Sequence, residues 1–336
     1  MSGGIPLELQ ALVEAANGRQ RVVAVTDYLL VTSQSYDARI PAGHPAASEL
    51  GAGVRLELVD RTLAERLLHA TELRGENWPG RPRSASDVVH AYVRAAWEEG
   101  CGEPPALWQW DADGVIYRCV QLSRLVRDNA TSTEHAARHL TLADGTHQIV
   151  PFHGFYSHVA HRLYPSTPGW LDVAEAGRLA ALVASFGGGA TLPARVRRAL
   201  RRTDSVTRER YLEDALPLVV GGLESLLKVG REASKEQFAQ RVPALADEVG
   251  VALTSTQCRE LYADRSALVH GDAVDLSVPR TLTTFEQGFV ALQETLRRAV
   301  RCAIENRGFA AVFAQDKQIQ MRWQTTIKTN RNTRYI

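Results

Sequence analysis

The feature that most constrains the fold of this chain is a series of apolar stripes between residues 170 and 308. Apolar residues recur there at spacings of four and three, which place side chains on one face of an α-helix. Short segments separate the stripes, and no convincing strand pattern lies between Gly189 and Gly308. Because helices joined by short connections pack as antiparallel neighbours, the pattern predicts an all-α antiparallel bundle.

Each stripe predicts one core helix of this bundle. Ser234 and Gln237 have the spacing of a capping box and are predicted to open the second helix. Pro217 and Pro243 fall inside the first and second helices and should kink them. The core positions, helix by helix, are Leu212, Leu216, Val219, Leu223 and Leu226; Phe238, Val242, Leu245 and Val249; Cys258, Leu261, Tyr262, Leu268 and Val269; and Phe285, Phe289, Leu292, Leu296, Ala299 and Ala303.

Arg265 is anomalous because it falls within the apolar stripe of the third helix. Burial of a guanidinium is costly unless a carboxylate pairs with it or it faces a cleft, so the position predicts an ion pair or a function. His270 closes the same helix just before Gly271, and glycine best tolerates the left-handed conformation at a helix end. Residues five apart lie about 140° apart around a regular helix, so Arg265 and His270 converge only where the last turn loosens.

Arginine and histidine together suit metal-independent RNA cleavage, in which a ribose 2′-hydroxyl attacks the adjacent phosphate. Imidazole titrates near neutral pH, so His270 is suited to exchanging protons with the attacking and leaving oxygens. The planar fork of Arg265 matches phosphate oxygens better than the point charge of lysine does. The alternative is structural: a salt-bridged core arginine, and a histidine that caps a helix C-terminus. Spacing alone favours the structural interpretation.

The segment Leu261–Gly271, LYADRSALVHG, resembles the signature helix of the Apea-like HEPN family, whose members carry an Arg-Ser-x-x-x-His-Gly sequence of this kind. Upstream, Ala199–Leu227 is similar to the first helix of that family, which runs from an Ala-Leu start to an Ala-Leu-Glu-x-Leu close. Here the close reads Gly-Leu-Glu-Ser-Leu from Gly222, with glycine where alanine is usual. The likeness covers about residues 170 to 306, with both motifs in the right order.

The resemblance implies a metal-independent endoribonuclease of bacterial defence, or a toxin, that cleaves RNA as a homodimer. Two helices of the Arg265 and His270 type would build the dimeric active site, with these residues as the catalytic pair. One alternative is a non-catalytic HEPN bundle that serves as a dimerisation or RNA-docking scaffold. The other is a binding protein whose N-terminal domain carries the function.

Three further residues are candidates to support the pair. Glu224 and Asp264 are possible carboxylate partners that would orient the Arg265 guanidinium, and each is also compatible with an ordinary solvated helix charge. Glu224 is the stronger candidate because it lies in the Leu-Glu-x-Leu segment that resembles the family. Ser266 adjoins Arg265 and is suited either to donating a hydrogen bond to phosphate or to close packing.

Two stretches predict local RNA contacts, since a net charge of +1 does not suit a globally basic nucleic-acid binder. Arg195, Arg198 and Arg202 share a helical face that would attract a phosphate backbone. Near the C-terminus, Arg322 and Lys328 lie among aromatic residues, a pattern suited to base stacking and phosphate contacts. Both stretches are also compatible with solvated charge and an irregular terminus.

The 336 residues suit two domains of ordinary size. We expect an α+β N-terminal domain at 1–165 that senses or regulates, then the HEPN-type bundle at 170–308 and a basic tail at 309–336. The sequence does not indicate which ligand would trigger the N-terminal domain. No apolar run reaches the roughly 18 to 20 residues of a membrane span and the start does not resemble a signal peptide, so we expect a cytoplasmic protein without membrane contact.

The sequence of the N-terminal domain predicts both strands and helices. Arg21–Val31 is rich in valine and Val54–Leu58 alternates apolar with polar residues, as strands do. Helices are predicted over Asp60–Leu73 and, after a capping pattern at Ser84, over the segment that carries Val88–Trp97.

Two Asp-Gly pairs predict hairpin turns. Asp144-Gly145 lies between two alternating segments, and Asp113-Gly114 precedes Val115–Val126, which is equally compatible with a helix. The cysteines are scattered, and the histidines of the aromatic segment lack a cysteine or well-spaced carboxylate, so no metal or other cofactor is expected. These histidines are His153, His158 and His161.

Overall fold

The chain divides into two compact units in the computed structural model. Unit 1 comprises Met1–Ser123, Asn129–Val159 and Thr167–Ala184, and unit 2 comprises Arg124–Asp128, Ala160–Ser166 and Ser185–Ile336. The structure describes residues 21–33, 47–51, 54–58, 89–100, 115–129, 131–132, 135–153, 171–187, 192–230, 232–271, 279–329 and 332–335. The division after Ala184 therefore lies later than the predicted boundary at 165–170, within the segment that the sequence assigned to the bundle.

Unit 1 contains an antiparallel sheet. Its strands in the described residues are β1 (Val22–Ser33), β2 (Ala47–Gly51), β3 (Val54–Leu58), β4 (Val89–Glu98), β5 (Thr131–Ser132), β6 (His135–Leu142) and β7 (His147–His153). The strand order is β2-β3-β4-β1-β6-β7, and β5 also pairs with β1. The predicted strands at Arg21–Val31 and Val54–Leu58 are confirmed as β1 and β3.

The hairpin predicted at Asp144-Gly145 is confirmed between β6 and β7. Gly145 has a φ of +81°, which favours glycine, and the backbone N–H of Thr146 donates to Asp144 Oδ1 at 2.8 Å. Across the sheet, Arg138 is buried and donates to both carboxylate oxygens of Asp27 at 2.6 and 2.8 Å. These two residues face each other in the β1–β6 register, so the ion pair supports that register.

The predicted helix through Val88–Trp97 is wrong, because Val89–Glu98 forms β4 between β1 and β3. A mostly apolar run in a central strand has no clear period of two, so local pattern does not separate it from a buried helix. Val115–Val126 takes the helical alternative and forms α1. The helix predicted at Asp60–Leu73 lies outside the described residues.

The helix α2 (Val173–Gly187) opens with a reciprocal pair of hydrogen bonds between Asp172 and Glu175. The Asp172 N–H donates to Glu175 Oε2 at 3.0 Å, and the Glu175 N–H donates to Asp172 Oδ1 at 2.8 Å. This capping box satisfies backbone donors that the first turn of a helix leaves unpaired.

Unit 2 is helical in its described part from Ser185 to Thr325, which confirms the all-α prediction at this coarser level. Pro217 and Pro243 lie inside helices as predicted, and Leu216 and Leu223 are fully buried. The helices are α3 (Ala194–Val206), α4 (Leu212–Leu227), α5 (Ser234–Glu248), α6 (Ser255–His270), α7 (Pro279–Glu305), α8 (Arg307–Val312) and α9 (Asp316–Arg322). None of the described helices is long and apolar enough to cross a membrane.

The segment Ala199–Leu227, expected as one helix, is broken into α3 and α4. Asp204 is buried at the end of α3, where its carboxylate pairs with Arg124 and with Arg208. The Thr207 hydroxyl donates to the Asp204 carbonyl at 2.6 Å and so competes for an acceptor of the last turn. These side-chain contacts stabilise a helix end at a position where periodicity alone predicts continuation.

The capping box predicted at Ser234 and Gln237 is not formed. Ala233 is the N-cap, in a left-handed conformation with a φ of +50°. The Gln237 side chain accepts from the Gly230 N–H at 2.9 Å and donates to the Glu232 carbonyl at 2.8 Å. Gln237 thus stabilises the connection before α5, because both the oxygen and the nitrogen of its side-chain amide form hydrogen bonds there.

Residues 309–325, predicted as part of a basic tail, are instead folded against the bundle. Trp323 is 3% exposed and stacks on Phe313 with ring centroids 5.4 Å apart. The buried Arg241 of α5 donates to the carbonyls of Trp323 at 3.2 Å and of Lys228 at 2.9 Å. Beyond this segment, β8 (Thr326–Thr329) and β9 (Asn332–Tyr335) pair as an antiparallel hairpin.

Candidate functional site

The ends of α6 determine where Arg265 and His270 lie. At its start, the Thr254 hydroxyl accepts from the Gln257 N–H at 3.2 Å and the Gln257 side chain accepts from the Thr254 N–H at 2.9 Å. This capping box was visible in the sequence as Thr-x-x-Gln and was not predicted. At its end, Gly271 has a φ of +81°, so the predicted glycine stop after His270 is confirmed.

The apolar stripe of α6 is buried only in its N-terminal half. Cys258, Leu261 and Tyr262 are buried, and the Tyr262 ring lies 5.0 Å from the ring of Phe238 in α5. Val269 is 55% exposed. The second half of the helix therefore leaves apolar surface uncovered around Arg265 and His270.

Arg265 is positioned by Glu224 and Tyr262. Its Nη2 donates to Glu224 Oε2 at 3.4 Å, and the Tyr262 hydroxyl donates to the other oxygen, Oε1, at 2.9 Å. The guanidinium carbon lies 5.7 Å from the centre of the Tyr262 ring. One carboxylate and one ring therefore limit the orientations available to Arg265, whose side chain is 27% exposed.

Glu224 reaches Arg265 from α4, so the stronger of the two carboxylate candidates does pair with the guanidinium. The pairing depends on the packing of α4 against α6, since the residues are 41 positions apart in the chain. Arg265 Nε is buried and has no hydrogen-bond partner among the described residues. The guanidinium therefore retains hydrogen-bonding capacity beyond its contact with Glu224.

Tyr262 is a site residue that the sequence interpretation treated only as core. Burial raises the pKa of its hydroxyl. A hydrogen bond with Ser234 lowers this pKa, and the nearby Glu224 raises it further. The hydroxyl therefore stays protonated at neutral pH and remains a donor. A tyrosine one turn before an arginine on the same face was the available signal, because a buried phenol usually requires a polar partner.

Asp264 and Ser266 are not brought into this network by any described contact. Burial raises the pKa of the Asp264 carboxyl, and repulsion from Glu260 adds to this effect, while Lys235 opposes it. Asp264 therefore lies among the charges of α5 and α6 and not in the ion pair of Arg265. Ser266 is half-buried.

His270 is exposed in the last turn of α6, and no described residue forms a hydrogen bond with its ring. The helix continues to His270, so the expected loosening of the last turn is not observed. Arg265 and His270 consequently remain about 140° apart around the helix axis. One copy of α6 therefore presents the guanidinium of Arg265 on one side and the exposed imidazole of His270 on another.

The predicted RNA-binding residues have different environments. Arg195 is half-buried, pairs with Asp316 and donates to the Ser225 carbonyl at 3.2 Å. Burial lowers its pKa, and the charge of Arg198 adds to this. Arg322 pairs with Glu248, and its guanidinium lies 5.7 Å from the ring centre of the buried Trp323. Lys328 lies in β8.

Arg198 and Arg202 are the members of this predicted set that the structure exposes on α3. Within the described residues, no group of three or more His, Cys, Asp or Glu side chains is arranged to hold a metal ion. No protein-family model, curated protein or solved structure matches this chain.

Proposed function

We propose that this chain is a HEPN-type, metal-independent endoribonuclease in which Arg265 binds the scissile phosphate and His270 transfers protons. The observation that carries the proposal is the arrangement of α6, which presents an oriented, partly exposed arginine and an exposed histidine. A solvated helix charge needs no orienting carboxylate and ring, whereas a phosphate-binding group benefits from both.

In the proposed reaction, the ribose 2′-hydroxyl gives its proton to a base and its oxygen attacks the adjacent phosphorus. The bond from phosphorus to the 5′-oxygen breaks, and that oxygen takes a proton. The products are a 2′,3′-cyclic phosphate and a 5′-hydroxyl. Arg265 stabilises the added negative charge on the phosphate, and His270 supplies one of the two proton transfers.

A second copy of the chain would complete the site. Arg265 and His270 point to different sides of α6, so one copy of the chain supplies one arginine and one histidine that do not converge. Two-fold pairing would bring two arginines and two histidines together. The exposed Val269 lies between them in sequence and offers apolar surface for such pairing. We therefore propose a homodimer formed through α6.

The setting follows from the resemblance alone: cleavage of RNA in bacterial antiviral defence or as a toxin, in the cytoplasm. The α+β unit would then regulate the bundle in response to a trigger. RNA is the proposed substrate, and no cofactor takes part in the proposed steps.

A non-catalytic HEPN scaffold is the second candidate, favoured by the lack of any described residue that orients the His270 ring. General bases are usually held by a further group, and His270 is held by none of the described residues. A scaffold would dimerise or dock RNA without cleaving it.

Substitution of His270 separates the two candidates. Purified protein is incubated with total RNA, with and without EDTA, and the ends of the products are analysed. For the enzyme, we expect cyclic phosphate ends, a rate insensitive to EDTA, and a rate lower by about 10² to 10⁴-fold in His270→Ala. Arg265→Lys should lose nearly as much activity, since lysine keeps the charge and loses the fork.

Folding is the control for these variants, because removal of Arg265 leaves Glu224 without its cation and destabilises the protein. Circular dichroism and melting temperature should remain near those of the wild type in His270→Ala, whose side chain is exposed. Equal cleavage by His270→Ala and wild type would exclude the proposed chemistry and favour the scaffold.

A further inference from the structure

The exposed face of α3 differs from the one that the spacing of Arg195, Arg198 and Arg202 suggests. At 100° per residue, the buried residues of α3 occupy one side of the helix. Arg195 lies at the edge of that side, where Asp316 and the Ser225 carbonyl hold it. The residues that α3 buries are Val196, Ala199, Leu200, Thr203, Asp204 and Val206.

The opposite side of α3 carries an array of arginines that we call the α3 face: Arg197, Arg198, Arg201 and Arg202, all of them exposed. On a helical wheel these four residues span about 140°. The other α3 residues in that arc are Ala194 and Ser205, so the arc contains no carboxylate.

The charge of the α3 face is not neutralised by its surroundings in the described part of the chain. Among the described residues near the face, Arg195 pairs with Asp316, and both Arg124 and Arg208 pair with Asp204. No described carboxylate pairs with an arginine of the face. Arg197 donates to the Leu192 carbonyl at 2.8 Å, which restrains the side chain and leaves its charge in place.

An exposed aromatic ring lies in the connection between α3 and α4, at the residue immediately before α4. Tyr211 is 48% exposed, and the guanidinium carbon of Arg210 lies 5.6 Å from its ring centre. Large exposed rings beside arginines are the elements with which proteins bind unpaired nucleotides, since bases stack on the ring and cations bind the backbone. Paired bases do not offer their faces in this way.

We propose that the α3 face, with Arg210 and Tyr211, binds a single-stranded segment of RNA. The choice of RNA among polyanions rests on the proposed function, which this inference deepens by naming single-stranded RNA as the substrate class. The arginines contact phosphates, and Tyr211 stacks on a base. Affinity then depends on salt, because each neutralised phosphate releases counterions.

The test measures binding of a fluorescent, unstructured RNA 20-mer by anisotropy between 50 and 200 mM salt, about the range over which such contacts weaken. The protein carries His270→Ala, and the RNA is checked on a gel after each titration. Arg198→Gln/Arg202→Gln is compared with Arg178→Gln/Arg307→Gln, which loses the same charge from exposed positions outside the face.

We expect the slope of log affinity against log salt to fall in magnitude by about 1.4 in the α3 variant, since each single-strand phosphate contact contributes about 0.7. The control variant should keep the wild-type slope. Tyr211→Leu should weaken single-strand binding at least about fivefold and leave duplex RNA binding unchanged. Equal slopes in the two double variants, or absence of RNA binding, would overturn the inference.

Cleavage of RNA is measured separately, with protein in which His270 is intact. If that protein cleaves RNA while the α3 variant binds RNA normally, this inference fails alone. If the α3 variant loses binding as expected and wild type leaves RNA intact, the proposed function fails and the binding surface stands. Tighter binding of duplex than of single strands would overturn the assignment to single-stranded RNA.

Discussion

Gly222 is the position where this chain departs from the alanine usual in the family it resembles, and the structure gives a reason. A Cβ built on Gly222 would lie 2.7 Å from Leu296 Cδ2 and 3.3 Å from the Cβ of Arg202. Carbon atoms normally approach to about 3.5–4.0 Å, so the overlap with Leu296 is on the order of 1 Å. Glycine therefore permits the approach of α7 to α4.

Gly221 provides a matched control, because a Cβ there has no neighbour within 4 Å in the described part of the chain. Both glycines lie in the interior of α4, so alanine at either position should gain about 0.5–1 kcal/mol from helix propensity. At Gly222 this gain is opposed by overpacking against Leu296, which is fully buried and would have to shift within the core. Overpacking typically costs about 1–3 kcal/mol.

We therefore expect Gly222→Ala to be less stable than Gly221→Ala by about 1–3 kcal/mol. Urea denaturation followed by circular dichroism measures the difference, with each transition fitted separately since the chain has two units. Leu296→Ala should relieve the overlap, so the double variant with Gly222→Ala should be more stable than the sum of the single effects indicates. Equal stabilisation by both alanines would refute the packing argument.

The other predictions concern α6 and its partner residues. Tyr262→Phe keeps the ring beside Arg265 and removes the hydrogen bond to Glu224, so we expect a loss of about 1 kcal/mol in unfolding free energy and slower RNA cleavage; unchanged values would show that the hydroxyl does not position Arg265. The pKa of Asp264 is raised in the folded state, so its charged form destabilises the fold at pH values above that pKa. Asp264→Asn should therefore raise the melting temperature at pH 7. Below the ordinary Asp pKa of about 3.9 the carboxyl is protonated in both states, and the substitution should have little effect. An equal rise at both pH values would contradict that sign. Val269→Glu should convert the proposed dimer to monomer by light scattering at unchanged circular dichroism, and a monomeric wild type that cleaves RNA would exclude the dimer.

Local pattern was sufficient for much of the bundle. The spacing of Leu212, Leu216 and Leu223 identified the buried face of α4, because helical periodicity is a property of neighbouring residues. Gly271 was readable as the end of α6 for a similar reason, since few other residues accept its backbone conformation.

The same local reasoning failed at β4, where a strand between two others has the apolar composition of a buried helix. It also missed the end of α3, where the buried Asp204 pairs with Arg124 from a distant segment. The aromatic residues around Arg322 were predicted to suit base stacking, because no local pattern shows that the ring of Trp323 packs on Phe313.

The sequence by itself determined that Arg265 needs a partner or a role, because a guanidinium in an apolar stripe is costly wherever the helix packs. Only the tertiary structure decided that Glu224 supplies the carboxylate, that Tyr262 holds it, and that Arg195 is drawn away from the basic face by Asp316. The physical reason is that the charge of a residue, its position in the helical period and the free-energy cost of burying it follow from the local sequence. The identity of its partner depends on which helices lie side by side.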